Sequence, residues 1–427
     1  MTVTAIVGAN WGDEGKGKMT DLYAEKASYV VRYQGGSNAG HTIINDYGKF
    51  ALRMLPSGVF HPQTVNIIGP GVALDAERML AELERLEERG VPKPNVRLSE
   101  RAQVVLPVHR LLDELEETRL GAQSFGSTKN GIAPFYADKY AKLGIQVADL
   151  FHEDILRSKL ERTYAAKNVL LKHLYGGSPA LEPEGLIGQL VELGRKLVPF
   201  ACDTTQLLRQ AWASGEPILL EGQLGALRDP DHGIYPYSTS SSTLAGHGAV
   251  GAGLPPYAIA RVLAVVKAYS SCVGAGPFVS ELAAEEAVEL RRRGGDAGEY
   301  GAVTGRPRRV GWFDTVATRY GCMIQGATEV ALTNLDVLGY LDEIPLCVGY
   351  EADGTVIGDF PTLPLLRRAK PVLWKLPGWR SDISGCRTFA ELPEEARNYV
   401  AYIESAIGVN VTAVSVGPHR NQTIRRL

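Results

Sequence analysis

Seven residues, Gly12-Asp13-Glu14-Gly15-Lys16-Gly17-Lys18, constrain this chain more than any other stretch. They follow an apolar run, Val3-Thr4-Ala5-Ile6-Val7-Gly8, that reads as a buried strand. They precede residues 19–24, where Met19, Leu22 and Tyr23 keep helical spacing. Strand, glycine-rich loop and helix together form a cradle for phosphate. Glycine lets the backbone approach closely, its N–H groups turn inward, and the helix N-terminus adds positive potential. The spacing nearly meets the phosphate-loop template, in which four residues separate a Gly from Gly-Lys. Where the template has a Ser or Thr to ligate magnesium, this chain has Met19. Asp13 is a hard oxygen ligand inside the loop.

The rest of the chain alternates apolar strand-like runs with helical patterns. Runs at 29–33, 65–69, 96–98, 217–222, 262–269, 330–336 and 411–416 read as strands, the last of them closing the chain. Helical spacing covers 74–89, 111–120, 312–323 and 393–407. A mostly helical stretch, about 147–212, reads as an inserted subdomain. Residues 43–52 and 344–358 read as hairpins, with Asp353-Gly354 at the second turn, and 361–377 reads as irregular. This pattern predicts an α/β fold: one large catalytic domain over 1–427 with a largely parallel central sheet. Polar loops follow the strands, where such sheets place ligands.

Three more loops carry chemistry. Gln34-Gly35-Gly36-Ser37-Asn38-Ala39-Gly40-His41-Thr42 is a second glycine-rich loop, and His41 there can donate to a phosphate and stabilise developing charge. Thr333-Asn334-Leu335-Asp336 at a strand end resembles the guanine-recognition tetrapeptide of GTP-binding proteins; a plain strand-end turn is the alternative. A carboxylate there accepts from guanine N1–H and the 2-amino group together, and adenine offers no such donor pair. Val303-Thr304-Gly305-Arg306-Pro307-Arg308-Arg309 suits a loop closing over anionic groups, since arginine grips carboxylate or phosphate with two donors. Asp13 itself suits a metal ligand, a general base or a helix cap.

End to end, the chain resembles the adenylosuccinate synthetase family. The resemblance rests on residues 11–18 and 34–42, on Asp231-His232-Gly233-Ile234-Tyr235-Pro236-Tyr237, and on Lys267-Ala268-Tyr269 with residues 273–278. Thr304-Gly305-Arg306 with Gly311-Trp312 completes it. It implies a ligase that joins IMP and L-aspartate with GTP, through 6-phosphoryl-IMP, in purine biosynthesis, with Mg2+ as cofactor. Asp13 is implied as the base on IMP N1 and, with the Gly40 carbonyl, as a metal ligand; His41 is implied as the acid on the transferring phosphate. GTP contacts are implied at Gly12, Asp13, Glu14, Gly15, Lys16, Gly17 and Lys18, at Gly40, His41 and Thr42, at Arg308, at Asn334, Leu335 and Asp336, and at Ser415, Val416 and Gly417. IMP contacts are implied at Asp13 to Lys16, at Asn38, Ala39, Gly40 and His41, and at Thr128, Thr239 and Arg306. Aspartate is implied at Ala302, Val303, Thr304, Gly305, Arg306, Pro307 and Arg308.

Three positions depart from the family pattern. Thr128-Lys129-Asn130-Gly131 stands where the family often has Thr-Gly-Arg-Gly. Lys142 aligns with an arginine that reaches the partner subunit's IMP in a homodimer, and keeps charge without the bidentate fork. An IMP-binding glutamine falls by count on Leu224, with Gln223 one place earlier, so either can serve.

Composition sets the remaining bounds. A formal charge of −3 does not favour nucleic acid. The five cysteines lack metal spacing and suit free thiols in a reducing compartment. No apolar run reaches membrane-spanning length, and the N-terminus enters a strand at once, so the expected location is the cytoplasm. A simple phosphate-loop GTPase or kinase explains the first loop and the tetrapeptide, but neither His41 nor the basic loop. A nucleotide-binding regulator without turnover has no use for both Asp13 and His41.

Overall fold

The structure, a computed structural model, describes residues 3–177, 181–295, 297–300, 305 and 307–426. In the central ten-stranded sheet, the strands are β1 (Val3–Gly8), β2 (Tyr29–Arg32), β3 (Val65–Ile68), β4 (Asn95–Ser99), β5 (Ala201–Cys202), β6 (Ile218–Gly225), β7 (Ile259–Lys267), β8 (Glu329–Thr333), β9 (Val411–Ser415) and β10 (Thr423–Arg425). Their order is β10-β9-β8-β7-β1-β6-β2-β3-β4-β5, parallel throughout except for β10. The polar loops that follow β1, β2, β6, β7, β8 and β9 therefore leave one edge of the sheet, the carboxyl edge.

β1 sits in the middle because both of its faces are covered. Val3, Ala5 and Val7 pack with Ile218 and Leu220 and with Leu208 of the helix Thr204–Ala213. Ile6 points the other way and packs with Met19 of α1 (Lys16–Ala24), Val265 and Ala331. The two-residue period of a strand divides the run between two cores, so the whole run is apolar.

The helices Glu153–His173 and Pro183–Leu197 lie in the sequence between β4 and β5, and their apolar faces join the core that covers β3 and β4. Helices Ile132–Ala141 and Ala284–Arg293 were not foreseen. Three expectations need correction. Residues 361–377 are not irregular throughout: Lys370–Pro377 forms a strand antiparallel to Glu343–Ala352. The strand β9 is not the last, because β10 folds back along it. The run at 217–222 continues to Gly225, which carries Gln223 and Leu224 inside the strand.

Candidate active site

The first glycine-rich loop leaves β1 and doubles back before α1. Asp13 and Gly15 both take the left-handed backbone, with φ of 66° and 96°. For Asp13 that conformation is uncommon and must be held by its surroundings. Gly15 occupies the cap position of α1, and no side chain caps that end. The first N–H groups of the helix stay open to an anion, and Asp13 is not the helix cap. Glu14 shapes the loop from within: its buried carboxylate accepts from Gly12 N at 2.8 Å and Asn10 N at 3.2 Å, and pairs with Lys16 Nζ at 2.6 Å. Lys18 reaches the end of β9 instead, where Nζ donates to Ser415 Oγ and the Gly417 carbonyl, each at 2.7 Å. Burial pushes the Lys18 ammonium down to about 7, against the opposing pull of Asp336. Thr333 Oγ1 donates to the Glu14 carbonyl at 2.6 Å and so ties the loop to the end of β8.

The second loop brings a histidine against the first. A β-carbon on Gly17 would stand 2.7 Å from the β-carbon of His41, so only glycine permits this approach. His41 opens the hairpin His41–Asn45/Gly48–Leu52. Its Nδ1 lies 2.6 Å from Glu221 Oε1. Its Nε2 is buried and has no hydrogen-bond partner among the described residues. Glu221, wholly buried on β6, also accepts from Ser57 N at 2.8 Å and from the Ser57 hydroxyl. Burial alone would raise its pKa; His41, Arg32 and Ser57 outweigh burial and hold the carboxyl below its ordinary value. Gln223 braces the same loop, with Nε2 donating to the Gly36 carbonyl at 3.0 Å and Asn38 Oδ1 at 3.1 Å.

A third group of charges joins the basic loop to both. Arg308 places Nε 2.7 Å from Asp13 Oδ2 and Nη1 2.9 Å from Glu299 Oε2. The Asp13 contact is close but poorly aimed: neither atom makes a directed hydrogen bond. Buried Glu299 also takes Lys267 Nζ at 2.6 Å and the Tyr269 hydroxyl. Burial opposes its charge, but Lys267 and Arg308 keep it well below the usual carboxylate range. Asn334 Nδ2 donates to the Tyr269 hydroxyl at 3.1 Å, which links the basic loop to the turn after β8. In that turn Asp336 Oδ1 is buried without a partner, and burial raises the carboxyl to about 6. A buried acceptor that lacks a donor is costly, and a ligand that brings donors relieves it.

A sequence model of adenylosuccinate synthetase matches residues 5–424. The chain belongs to the adenylosuccinate synthetase family. It is 46% identical over 425 residues to the adenylosuccinate synthetase of Heliobacterium modesticaldum, covering 99% of each chain. It is 44% identical over 424 residues to that of Streptococcus gordonii, covering 99% of this chain and 98% of the relative. The fully ligated adenylosuccinate synthetase of Plasmodium falciparum superimposes over 100% of both chains, with a TM-score of 0.92 at 33% identity. A cyanophage S-2L succinoaminodeoxyadenylate synthetase, bound to dGMP and dATP, shares the fold at a TM-score of 0.61 and 21% identity, over 99% of this chain and 95% of that one. Adenylosuccinate synthetases are GTP-dependent ligases of purine biosynthesis that join IMP to aspartate and need a divalent metal, and this chain is one of them.

Of the residues that the adenylosuccinate synthetase pattern marks, the structure gathers Asp13, His41 and Arg308 around the first loop. It gathers Lys18, Asp336, Ser415 and Gly417 at the ends of β8 and β9. Leu224, at φ 62°, lies against Gly12, whereas the Gln223 side chain is spent on the second loop. Thr42 is exposed on the hairpin beside His41. Among the described residues no hydrogen bond or ion pair joins Thr128, Thr239 or Lys142 to Asp13 or His41. Lys142 ends the helix Ile132–Ala141 in the left-handed conformation and is exposed. Gly305 and Pro307 are exposed; Ala302, Val303, Thr304 and Arg306 lie outside the described residues.

Sequence reasoning missed Glu221 and Glu299. The signal for Glu221 was a carboxylate inside an otherwise apolar strand. The signal for Glu299 was an acid at the edge of a basic, glycine-rich loop.

Among the described residues no group of three or more His, Cys, Asp or Glu side chains is placed to hold a metal. The donors at the first loop are one carboxylate, Asp13, whose Oδ2 makes no directed hydrogen bond though it faces Arg308, and the exposed backbone of Gly40. That set fits a hard divalent cation whose remaining ligands are phosphate oxygens and water. No helix among the described residues is long and apolar enough to cross a membrane.

Proposed function

We propose that this ligase works through Asp13 as base and His41 as acid, at the meeting point of the two glycine-rich loops. Asp13 takes the N1 proton of IMP. The 6-oxygen then attacks the γ-phosphorus of GTP in line, and His41 Nε2 donates to the transferring phosphoryl oxygens. The product is 6-phosphoryl-IMP with GDP as leaving group. The α-amine of aspartate displaces phosphate at C6, giving adenylosuccinate. An amide-like oxygen leaves poorly until it is phosphorylated, so the order follows from the chemistry. Mg2+, held by Asp13, the Gly40 carbonyl and the nucleotide phosphates, would neutralise charge on the triphosphate.

GTP lies along the first loop, with guanine on Asp336 and the turn at 415–417 beside it. IMP lies against residues 13–16 and 38–41, with Thr128, Thr239 and Arg306. The loop 302–308 holds the aspartate carboxylates. Of the two candidates for the missing glutamine contact, Leu224 is the better placed, because Gln223 is already bonded to Gly36 and Asn38. The enzyme acts in the cytoplasm as a homodimer with Lys142 reaching the partner's IMP, and 1–427 forms one catalytic unit with a helical insertion at 147–212.

One observation supports this reading above the others. Asp13 Oδ2 and His41 Nε2 are both buried atoms without a directed partner, on loops pressed together at Gly17. Product identification tests it. IMP, aspartate, GTP and Mg2+ together should yield adenylosuccinate, GDP and phosphate, and omission of any one should abolish product. GTP hydrolysis without IMP or aspartate would point to a plain GTPase instead.

A further inference from the structure

We propose that Glu221 is a positioning residue for the phosphoryl-transfer step, holding His41 with its proton on Nδ1 so that Nε2 alone exchanges protons with the reacting groups. This rests on the reading of His41 as the acid.

The strand β6 lies between β1 and β2, with Glu221 in register with Ile6 on one side and Arg32 on the other. Its neighbours in sequence, Ile218, Leu219 and Leu220, are core residues. A carboxylate in such a strand is tolerated only when its charge is matched. The matching donors are the Nδ1 of His41 at 2.6 Å, the amide of Ser57 at 2.8 Å and the Ser57 hydroxyl. All three come from the segment that carries the hairpin, so one side chain on a rigid strand pins His41 at the start of the hairpin and Ser57 beyond its end. The Arg32 guanidinium, wholly buried on β2, donates to Gln223 and adds positive potential near Glu221.

An ionised carboxylate facing Nδ1 requires a proton on that nitrogen. The other nitrogen, Nε2, is buried with no partner, on the ring whose β-carbon faces Gly17. The carboxylate fixes the ring through Nδ1 and leaves Nε2 as the ring nitrogen without a partner among the described residues. Buried acids behind catalytic histidines fix ring and tautomer by the same physics. A carboxylate that served packing alone would leave kcat unmoved in a folded Glu221→Gln variant.

The test combines ring ¹⁵N spectroscopy of the unaltered enzyme with kinetics of Glu221→Gln, Glu221→Asp and His41→Asn. The expected neutral form of His41 carries its proton on Nδ1, assigned by loss of the signal in His41→Asn. Glu221→Gln should lower kcat by about 100-fold, with KM for IMP, GTP and aspartate within about twofold, and Glu221→Asp should recover part of the loss. A bare Nδ1 in the neutral ring overturns the proposal, even if no Glu221 variant folds. So does a normal kcat in Glu221→Gln when His41→Asn is inactive, which leaves the acid role of His41 standing. Full activity in His41→Asn sinks the acid role itself, and this inference with it.

Discussion

The Asp13 carboxylate has a close cationic neighbour, Arg308 at 2.7 Å, and no directed hydrogen bond on the oxygen that faces it. Such a contact is easily exchanged, which suits the proposed role of meeting both a cation and a purine N1. Asp13→Asn keeps the shape and removes the basicity, so kcat should fall by about 10³-fold or more while equilibrium binding of GTP persists. Steady-state assays alongside nucleotide titration check both halves. Asp336 is the residue proposed to read the base, and its buried Oδ1 lacks a donor among the described residues. Asp336→Asn should cut the kcat/KM preference for GTP over ITP by about tenfold, the size of a lost charge-assisted hydrogen bond. An unchanged ratio would remove Asp336 from guanine recognition. At this scale the sequence was legible where residue type and strand-end position coincide, as at Asp13, His41 and Asp336. Glu221 was hidden because its partner is remote in sequence, His41 across 180 positions; Glu299 lies within nine positions of Arg308 but was not connected to it by any pattern.

Among the elements, the contact of α1 with the hairpin is the critical one. Replacing a helix glycine with alanine ordinarily stabilises by about 0.5–1 kcal/mol. At Gly17 the added carbon would sit 2.7 Å from the His41 β-carbon, and overpacking of that kind costs about 1–3 kcal/mol. Overpacking should win: Gly17→Ala should lose stability in urea titration and lose kcat, because His41 is displaced. The strand-loop-helix unit was readable because β1 is apolar on both faces and the glycines mark the turn. The strand Lys370–Pro377 was not, because prolines usually exclude a strand. Here Pro371 and Pro377 stand near or at its ends, opposite Tyr350 and Glu343, where a missing N–H is tolerated. The strand β10 was missed because it is three residues long and defined by pairing with β9 rather than by its own pattern.

For the whole molecule, Asp314 sets a pH dependence of stability. It caps the helix Thr315–Gln325, accepting from Ala317 N at 2.9 Å and the Tyr350 hydroxyl at 2.8 Å. Burial raises its pKa from 3.8 to about 6. The folded chain therefore holds this proton more tightly than the unfolded chain, and the stabilisation present below pH 4 is lost as pH rises through about 6. Asp314→Asn, a neutral group of the same shape, lacks that loss. The variant's advantage over the parent should grow by roughly 2–3 kcal/mol between pH 4 and pH 7, read from urea midpoints. Assembly gives a separate prediction. If Lys142 completes a neighbour's site, a mixture of Lys142→Ala and Asp13→Asn chains should show activity that neither has alone; absence of rescue counts against a shared site. The bond from Thr333 Oγ1 to the Glu14 carbonyl fastens the turn proposed to read the base to the loop proposed to grip the phosphates. On the proposed reading, the spacing between base and phosphates is set in the protein before a nucleotide arrives, as by a gauge of fixed length.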